Sequence, residues 1–270
     1  MRGPERDLLE QAYFLSIYGL IGAFTMFSLL WIINVVRNDA GVVDVGWTLG
    51  VGIMAVFAAV TGEGWQGRRL LVALLGGAWS LRLAAYILAD RIIKPAEDGR
   101  YRRMREYWGE KANFCFYFFF TSQSLLVVLF ALPFIPIAAG RHPGLRLWDV
   151  LGAVVWIVAV LGEWTADRQL ARFRSDPANK GCTCRRGLWG YSRHPNYFFE
   201  WMHWWAYVTM AVGLPGWWLT LVGPVLMFLF LMRLTGIPYT EKQALASRGD
   251  DYREYQRTTS MFIPLPPRRK

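Results

Sequence analysis

The densest group of side chains able to do chemistry lies in the segment 187–200, which reads GLWGYSRHPNYFFE. Arg193 and His194 stand directly before Pro195, and proline is favoured in the first turn of a helix. The backbone N–H groups at a helix N-terminus attract negative charge, so the arginine and the histidine beside them can complete an anion site. A lone histidine in such a place is more often a satisfied interfacial residue, but its combination with arginine favours binding.

The helix predicted after Pro195 carries a polar stripe. Asn196, Glu200 and Trp204 are spaced at i, i+4 and i+8, which places an amide, a carboxylate and an indole on one helical face. An amide and a carboxylate together offer hydrogen-bond donors and acceptors, so they can hold a carboxamide or an amine. We therefore expect this face to bind the polar end of a small molecule within the bundle.

A second polar stripe lies upstream. Glu163, Asp167 and Arg174 are spaced at i, i+4 and i+11 and share one helical face. Carboxylates accept hydrogen bonds from ribose hydroxyls, and arginine binds phosphate in a bidentate manner. The stripe therefore fits a nucleotide, while the structural alternative is an ion pair within the protein.

Two further charged residues lie within apolar stretches. Asp44 begins an apolar run and is either a helix N-cap or an acid that faces a cavity. Arg82 lies about two turns from the end of another run, where it either extends to the membrane surface or holds an anion. The segment 97–101 (EDGRY) is compact and mixed in charge, which is more typical of a binding element than of a plain membrane-stop sequence.

The elements that must position these residues are membrane helices. The chain has 270 residues, of which 54% are hydrophobic and 19% are charged, whereas a soluble domain carries about 25% charge. This composition excludes a disordered chain and a disulfide scaffold. Stretches of about 20 mostly apolar residues, the length of a transmembrane helix, occur at about 12–36, 42–62, 70–90, 114–140, 147–166, 197–213 and 217–235. The sequence thus predicts an all-α integral membrane protein, a bundle of seven transmembrane helices in a single polytopic domain, 1–270.

Basic residues are concentrated on one side of this predicted bundle. Of the 30 Lys and Arg residues, 23 fall at Arg37, in 91–113, in 167–196 or after residue 232. Cytoplasmic loops carry an excess of Lys and Arg, which places the C-terminus in the cytoplasm and the N-terminus outside. We expect a multi-pass membrane protein that contacts lipid, with these basic connections facing the cytoplasm. Part of this charge serves topology and lipid contact alone.

Three cysteines are present, Cys115 in an apolar stretch and Cys182 and Cys184 in a predicted cytoplasmic loop. An odd number in a reducing compartment argues against a structural disulfide. Cys182 and Cys184 with His194 do not make the two ligand pairs that a zinc site usually needs, so we expect no metal. We also expect a monomer and no nucleic-acid partner.

The order of the motifs along the chain resembles that of the steroid 5α-reductase superfamily, and more closely its bacterial DUF1295 branch. Beside the segment 187–200, the motifs are Asp44-Val-Gly-Trp47, Trp79-Ser-Leu-Arg82-Leu, Glu97-Asp-Gly-Arg-Tyr101, Glu163-Trp-Thr-Ala-Asp167-Arg-Gln-Leu, and Asp251-Tyr-Arg-Glu-Tyr255 before Pro264. The resemblance covers about residues 40–264, with the reductase signature at about 147–264. It implies seven transmembrane helices in a bacterial inner membrane and NADPH in a cavity that faces the cytoplasm. It also implies reduction of the Δ4 double bond of a 3-oxo steroid.

By motif position, the resemblance assigns roles to individual residues. The family's cofactor-contacting acid and nearby arginine fall on Asp167 and Arg174, and its asparagine and glutamate beside the nicotinamide fall on Asn196 and Glu200. The acid or amide that binds the substrate carbonyl falls on Asp44, so Asp44 and Glu200 are the expected catalytic residues. The full cofactor-binding set that the motifs and the resemblance imply is Arg82, Asp98, Arg100, Tyr101, Glu163, Asp167, Arg174, Tyr191, Arg193, His194, Asn196, Glu200, Trp204, Arg233 and Tyr255.

The sequence departs from the animal enzymes of the superfamily at two positions. Trp79 stands where they have a tyrosine that binds the substrate carbonyl, and Glu163 stands where they have an asparagine. The Arg-His-Pro of 193–195 is shared instead with sterol reductases and isoprenylcysteine carboxyl methyltransferases. The substrate expected from these features is an apolar enone, either steroid-like, isoprenoid or fatty.

Three functions are compatible with these features. In the first, hydride from NADPH adds to the β-carbon of the enone while a donor at Asp44 or held by Glu200 polarises the carbonyl. The second is a methyltransferase that uses S-adenosylmethionine, of the isoprenylcysteine carboxyl methyltransferase type. The third is a non-catalytic lipid-binding or scaffold protein, in which the polar stripes are only ion pairs.

Overall fold

Long helices dominate the computed structural model, which describes residues 4–89, 97–234 and 236–268. Every regular element in these residues is helical. Ser192 and Ser260 form an isolated β-bridge. The α-helices are α1 (Pro4–Arg37), α2 (Val42–Thr61), α3 (Gln66–Ile87), α4 (Gly99–Trp108), α5 (Ala112–Ala131), α6 (Phe134–Ala139), α7 (Leu147–Ser175), α8 (Pro195–Met210), α9 (Val222–Leu229), α10 (Ile237–Arg248) and α11 (Asp250–Thr258). Shorter helical turns are Gly109–Lys111, Pro177–Asn179, Gly187–Gly190, Trp217–Leu221 and Phe230–Leu234.

Within the described residues, six helical stretches are long and apolar enough to cross a membrane. They are Leu8–Arg37, Val42–Thr61, Gln66–Ile87, Gly99–Ala131, Leu147–Ser175 and Trp217–Arg248. Large apolar side chains cover much of their outer surface, as Ile21 and Val36 do in α1. Such a surface is unfavourable in water but compatible with lipid. The chain is therefore a multi-pass helical membrane protein.

The predicted span at 197–213 is where the structure differs from the seven-helix prediction. It corresponds to α8, whose 16 residues extend about 24 Å, less than the roughly 30 Å of a hydrocarbon core. Gly213 and Gly216, both with positive φ, form a turn beyond its end. The structure thus supports six spans, and the orientation of the termini stays a prediction.

Other predicted boundaries differ by less. The predicted span 114–140 is interrupted at Pro133, between α5 and α6, because proline lacks the backbone N–H that a continuous helix needs. Residue 90 at the end of one predicted span, residue 235 at the end of another, and 91–96 of the basic connection lie outside the described residues.

The chain divides into two compact units. The first comprises Met1–Arg146 and Ala211–Val222, and the second comprises Leu147–Met210 and Gly223–Lys270. In the first unit α2 packs against α3, and Gly52 allows the close approach because a Cβ there would collide with the Ser80 side chain. Ser80 Oγ also donates to the Thr48 carbonyl at 2.8 Å, which joins the two helices.

In the second unit α7 and α8 pack side by side, and this pair positions the polar stripes. A Cβ at Gly162 would collide with the Phe199 ring, and one at Gly152 would collide with Met210. The early part of α7 therefore faces the end of α8, so the helices run antiparallel. The second half of α7, which the charge pattern predicts to be nearer the cytoplasm, lies opposite the first turns of α8.

Candidate functional site

The polar stripes of α7 and α8 meet in the second unit. Asn196 Nδ2 donates to Asp167 Oδ1 at 3.1 Å, and Asn196 Oδ1 accepts from the Tyr197 backbone N–H at 3.0 Å. The sequence predicts these stripes as two binding faces. The structure makes them one site, joined by a hydrogen bond between an amide and a carboxylate.

Two more carboxylates lie beside this pair. Glu163 stands one turn before Asp167 in α7, and Glu200 stands one turn after Asn196 in α8. Glu163 and Asp167 are each 5% exposed and Glu200 is 8% exposed. Burying an ionised carboxylate is costly unless hydrogen bonds, positive charge or a proton compensates. The three carboxylates give this site acceptors for hydrogen-bond donors and an attraction for positive charge.

The stripe on α8 continues with two residues that the sequence motifs do not single out. His203 and Tyr207 are fully buried, and His203 Nε2 lies 3.2 Å from the Tyr207 hydroxyl oxygen. They follow Glu200 by three and seven residues, so they lie on the same face of the helix. The spacing from Glu200 could have indicated these residues from the sequence. The aromatic neighbours of His203, however, are also typical of a histidine packed in a core. Trp204, which the resemblance places near the cofactor, is also fully buried.

The loop before α8 is held by the C-terminal part of the chain. Arg193 is buried; its Nε donates to Glu241 Oε1 at 2.7 Å, and its Nη1 donates to the Thr259 carbonyl at 2.8 Å. His194 Nε2 lies 3.3 Å from the same Glu241 oxygen. Arg193 and His194 thus lie together, as the sequence predicts, and these contacts are internal to the protein. Their role toward a cofactor stays a prediction.

The protonation of His194 follows from its burial. Burial lowers the pKa of His194 below its usual 6.5, and the neighbouring Glu241 opposes this shift only in part. The imidazole is therefore neutral near pH 7. With Glu241 as acceptor, the tautomer that fits the contact carries its hydrogen on Nε2.

Two tyrosines of the predicted cofactor set lie in or against this loop. The Tyr255 hydroxyl is buried and donates to the carbonyls of Trp189 and Ser192, the latter at 3.1 Å. Burial raises the pKa of Tyr255, so it stays protonated and acts as a donor. Tyr191 exposes its ring, and its carbonyl accepts from the Leu265 N–H at 3.0 Å. The observed contacts of both residues stabilise the loop.

The exposed arginines of the second unit differ in their surroundings. Arg174 lies exposed in the last turn of α7, and Arg233 lies exposed in the turn Phe230–Leu234. Arg185 donates to Asp251 Oδ1 at 2.7 Å. Exposed guanidinium groups such as Arg174 suit the charged, solvent-facing part of a ligand.

In the first unit, a second polar group forms around Asp44. Asp44 lies in the first turn of α2, whose N-cap residue is Gly41, so Asp44 is not the cap. Its Oδ2 accepts from Arg100 Nη2 at 2.8 Å, and its Oδ1 accepts from the Tyr101 hydroxyl at 2.7 Å. Asp98 caps α4 by accepting from the Arg100 backbone N–H at 2.9 Å. Four residues of the predicted set therefore come together here.

Beside the Asp44 group lies a network that the sequence motifs do not reveal. Glu97 accepts from Arg105 Nη2 at 2.9 Å and from the Ala40 backbone N–H at 2.8 Å. Arg105 Nη2 also donates to Asn34 Oδ1 at 2.9 Å. These contacts tie α4, and Glu97 just before it, to the end of α1 and to the connection between α1 and α2. Arg82, the remaining predicted residue of this unit, lies half-buried in α3.

The cysteines carry free thiols in the structure. Cys182 is exposed and Cys184 is buried, and burial raises the pKa of the Cys184 thiol. No group of three or more His, Cys, Asp or Glu side chains within the described residues is arranged to hold a metal ion.

Comparison with known proteins relates the whole of this arrangement to a family. A family model described as "Protein of unknown function (DUF1295)" matches residues 30–259, which include both polar groups. The chain is also 27% identical over 281 aligned residues to "Uncharacterized protein C594.04c" of Schizosaccharomyces pombe. That alignment covers 92% of this chain and 79% of the yeast protein. No solved structure matches the chain.

Proposed function

The chain belongs to the DUF1295 family, and we propose that it is an NADPH-dependent reductase of an apolar enone, such as a 3-oxo-Δ4 steroid. The order of its motifs, which resembles that of the steroid 5α-reductase superfamily, supports the proposal. The observation that carries it is the hydrogen-bonded pair of buried Asp167 and half-buried Asn196 in the second unit, with Glu163 and Glu200 on either side.

The donors and acceptors of this site fit a nicotinamide carboxamide. A primary carboxamide offers two N–H donors and one acceptor oxygen. Asp167 and Glu200 supply carboxylate acceptors, and Asn196 supplies an amide with both donor and acceptor atoms. The hydrogen bond to Asp167 fixes the orientation of the Asn196 amide before any ligand binds, which lowers the entropy lost on binding.

The charge of the site also fits this cofactor. When bound, NADPH supplies a hydride to the β-carbon of the enone, a proton from water completes the saturated ketone at the α-carbon, and the nicotinamide ring becomes cationic. The buried carboxylates of Glu163, Asp167 and Glu200 stabilise positive charge more strongly than they would in water, because the surrounding dielectric is low.

The basic residues divide into two proposed roles. Arg174 and Arg186 are exposed at the end of α7 and in the following loop, and we assign them to the cofactor phosphates. Arg185 and Arg193 are engaged by carboxylates of the chain itself. They contribute by holding the loop in place.

The resemblance assigns a catalytic role to Asp44, and we propose that Asp44 acts together with its hydrogen-bond partners in the first unit. Asp44 accepts the hydroxyl hydrogen of Tyr101 and orients the Arg100 guanidinium, which carries further N–H donors. Donors of this kind stabilise the negative charge that develops on an enone oxygen when hydride adds to the β-carbon.

A methyltransferase is the second candidate, and the same carboxylates favour it. The sulfonium of S-adenosylmethionine carries a permanent positive charge, which buried carboxylates attract. The Arg-His-Pro at 193–195 is shared with isoprenylcysteine carboxyl methyltransferases. The reductase is preferred because the paired acids at 163 and 167 and the Asn196 amide fit a nucleotide with a carboxamide.

Isotope transfer distinguishes the two reactions. The detergent-purified protein is incubated with NADPH that carries deuterium at the transferable ring position, and with a 3-oxo-Δ4 steroid, an isoprenoid enone or a fatty enone. We expect a saturated ketone with one deuterium at the β-carbon. Absence of deuterium transfer to every enone, together with methyl transfer from labelled S-adenosylmethionine to an apolar thiol or carboxylate, would contradict the proposal.

A further inference from the structure

Glu241 of α10 is the meeting point of side chains from three parts of the second unit. Its Oε1 accepts from Arg193 Nε at 2.7 Å and from His194 Nε2 at 3.3 Å. Its Oε2 accepts from Gln256 Nε2 at 2.9 Å, and the Tyr252 hydroxyl lies 3.4 Å from Oε1. Glu241 thus joins α10 to the loop 187–194, through Arg193 and His194, and to α11.

The segment after α11 bonds the same loop through the backbone. The Arg193 N–H donates to the Ser260 carbonyl at 2.8 Å, and Ser192 Oγ donates to the Phe262 carbonyl at 2.8 Å. Arg193 Nη1 donates to the Thr259 carbonyl at 2.8 Å. The contacts are consecutive along both segments, so the C-terminal segment follows the loop rather than touching it at one point.

The loop leads directly into the first turn of α8. Pro195 is the first residue of that helix, and the Phe198 N–H donates to the His194 carbonyl at 3.1 Å. The His194 ring stacks on Tyr197, with centroids 5.5 Å apart and planes 6° from parallel. Asn196 lies between these residues in the chain, so a shift of His194 would move the backbone that carries the Asn196 amide.

We propose that the segment 237–262 is a clamp on the loop 187–194, and that Glu241 is the positioning residue that sets the first turn of α8 and hence Asn196. Removing the Glu241 carboxylate leaves the buried Arg193 guanidinium without its charged acceptor, which favours movement of the loop toward water. The effect of the clamp on cofactor binding rests on the proposed function. The clamp itself does not.

Amide hydrogen exchange without any nucleotide tests the clamp directly. The variants are Glu241→Ala, the milder Glu241→Asp, and the matched control Glu254→Ala, which removes an exposed glutamate of α11 paired with Arg185. In Glu241→Ala we expect exchange in 187–198 to rise at least about tenfold, with α7 amides unchanged. Glu241→Asp, which keeps a carboxylate, is expected to restore part of the protection. The clamp would be overturned if the amides of 187–198 were as protected in Glu241→Ala as in the natural protein. It would also be overturned if Glu254→Ala lost as much protection there as Glu241→Ala.

A second measurement tests the positioning of Asn196. The apparent Kd for NADPH is taken from thermal-shift titrations of the same variants. We expect it to rise about tenfold in Glu241→Ala and to recover in Glu241→Asp, whereas a change in stability alone would shift the starting midpoint without altering the Kd. An unchanged Kd beside increased exchange would overturn the positioning role. If the natural protein does not respond to NADPH, the proposed function fails while the exchange result still decides the clamp.

Discussion

The two polar groups of this protein differ in burial and in the arrangement of their charges. In the first unit, Asp44, Asp98 and Glu97 each lie 2.8–3.1 Å from an arginine nitrogen, and their side chains are 10–23% exposed. In the second unit, Glu163 and Asp167 are less exposed and share a helix face one turn apart. The Glu97–Arg105 pair joins segments of the fold, whereas the second unit gathers buried carboxylates on facing stripes of two helices, the arrangement to which we assign the cofactor.

This comparison predicts opposite consequences of substitution. Residues of the buried site are expected to affect activity more than stability, because their arrangement serves a ligand. Residues of the Glu97–Arg105 network are expected to affect stability and to leave ligand binding intact.

The largest effect is expected for Glu200→Gln. The amide has the same shape as the carboxylate but no charge, so we expect kcat/KM for NADPH-dependent enone reduction to fall by about 100-fold or more, with a small change in the unfolding midpoint. Cys182→Ser, which changes an exposed thiol, serves as the control and should leave the rate unchanged. Equal effects of the two substitutions would contradict the assignment of Glu200.

A smaller and more selective effect is expected for Asp44→Asn. The amide oxygen can still accept from Tyr101, but the charge opposite Arg100 is lost, so we expect kcat/KM to fall by about tenfold. The rise in unfolding midpoint on adding NADPH should be retained, because Asp44 is assigned to the substrate. Loss of that rise would place Asp44 in cofactor binding instead and would weaken the comparison.

Glu97→Gln tests the structural network. The substituted side chain keeps an acceptor oxygen for the Ala40 N–H but loses the charge that faces Arg105. Since these side chains are partly exposed, we expect the free energy of unfolding to fall by only about 1–2 kcal/mol. The midpoint is measured against Glu110→Gln, an exposed glutamate of the same unit. A selective loss of NADPH response in Glu97→Gln would show that the network serves the ligand.

The smallest effect is expected for Glu63→Gln. Glu63 pairs with Arg141 at 2.8 Å, but both side chains are more than 60% exposed. Water screens such a pair, so the free energy of unfolding should change by less than about 0.5 kcal/mol. A larger loss than that of Glu97→Gln would show that burial is not what separates these networks.

Local patterns predicted much of the fold and part of the candidate site. The apolar runs predicted the helices that are long enough to span a membrane, and the spacing of Glu163, Asp167, Asn196 and Glu200 predicted two polar faces. The structure confirms the helical membrane character and brings those faces together. Each helix and each polar face depends on residues within a few turns of one another, which is the range that sequence periodicity reports.

Contacts between distant segments were not predictable in this way. Glu241 lies 48 positions from Arg193, and Glu97 lies 57 positions from Ala40. Nothing in their local sequence indicates these partners, because tertiary packing selects them. The structure does not confirm the predicted span at 197–213, because α8 has only 16 residues. An apolar run predicts burial but does not by itself give the length of the helix.

Thermal unfolding of the detergent-purified protein with NADPH, NADH or S-adenosylmethionine tests the central claim most directly. A ligand that binds only the folded state stabilises it by about 2.7 kcal/mol at 100 times its Kd. We predict that NADPH raises the midpoint, that S-adenosylmethionine does not, and that Asn196→Ala abolishes the response to NADPH. A midpoint that does not move with NADPH, or that moves with S-adenosylmethionine alone, would contradict the assignment of the buried site to a nicotinamide cofactor.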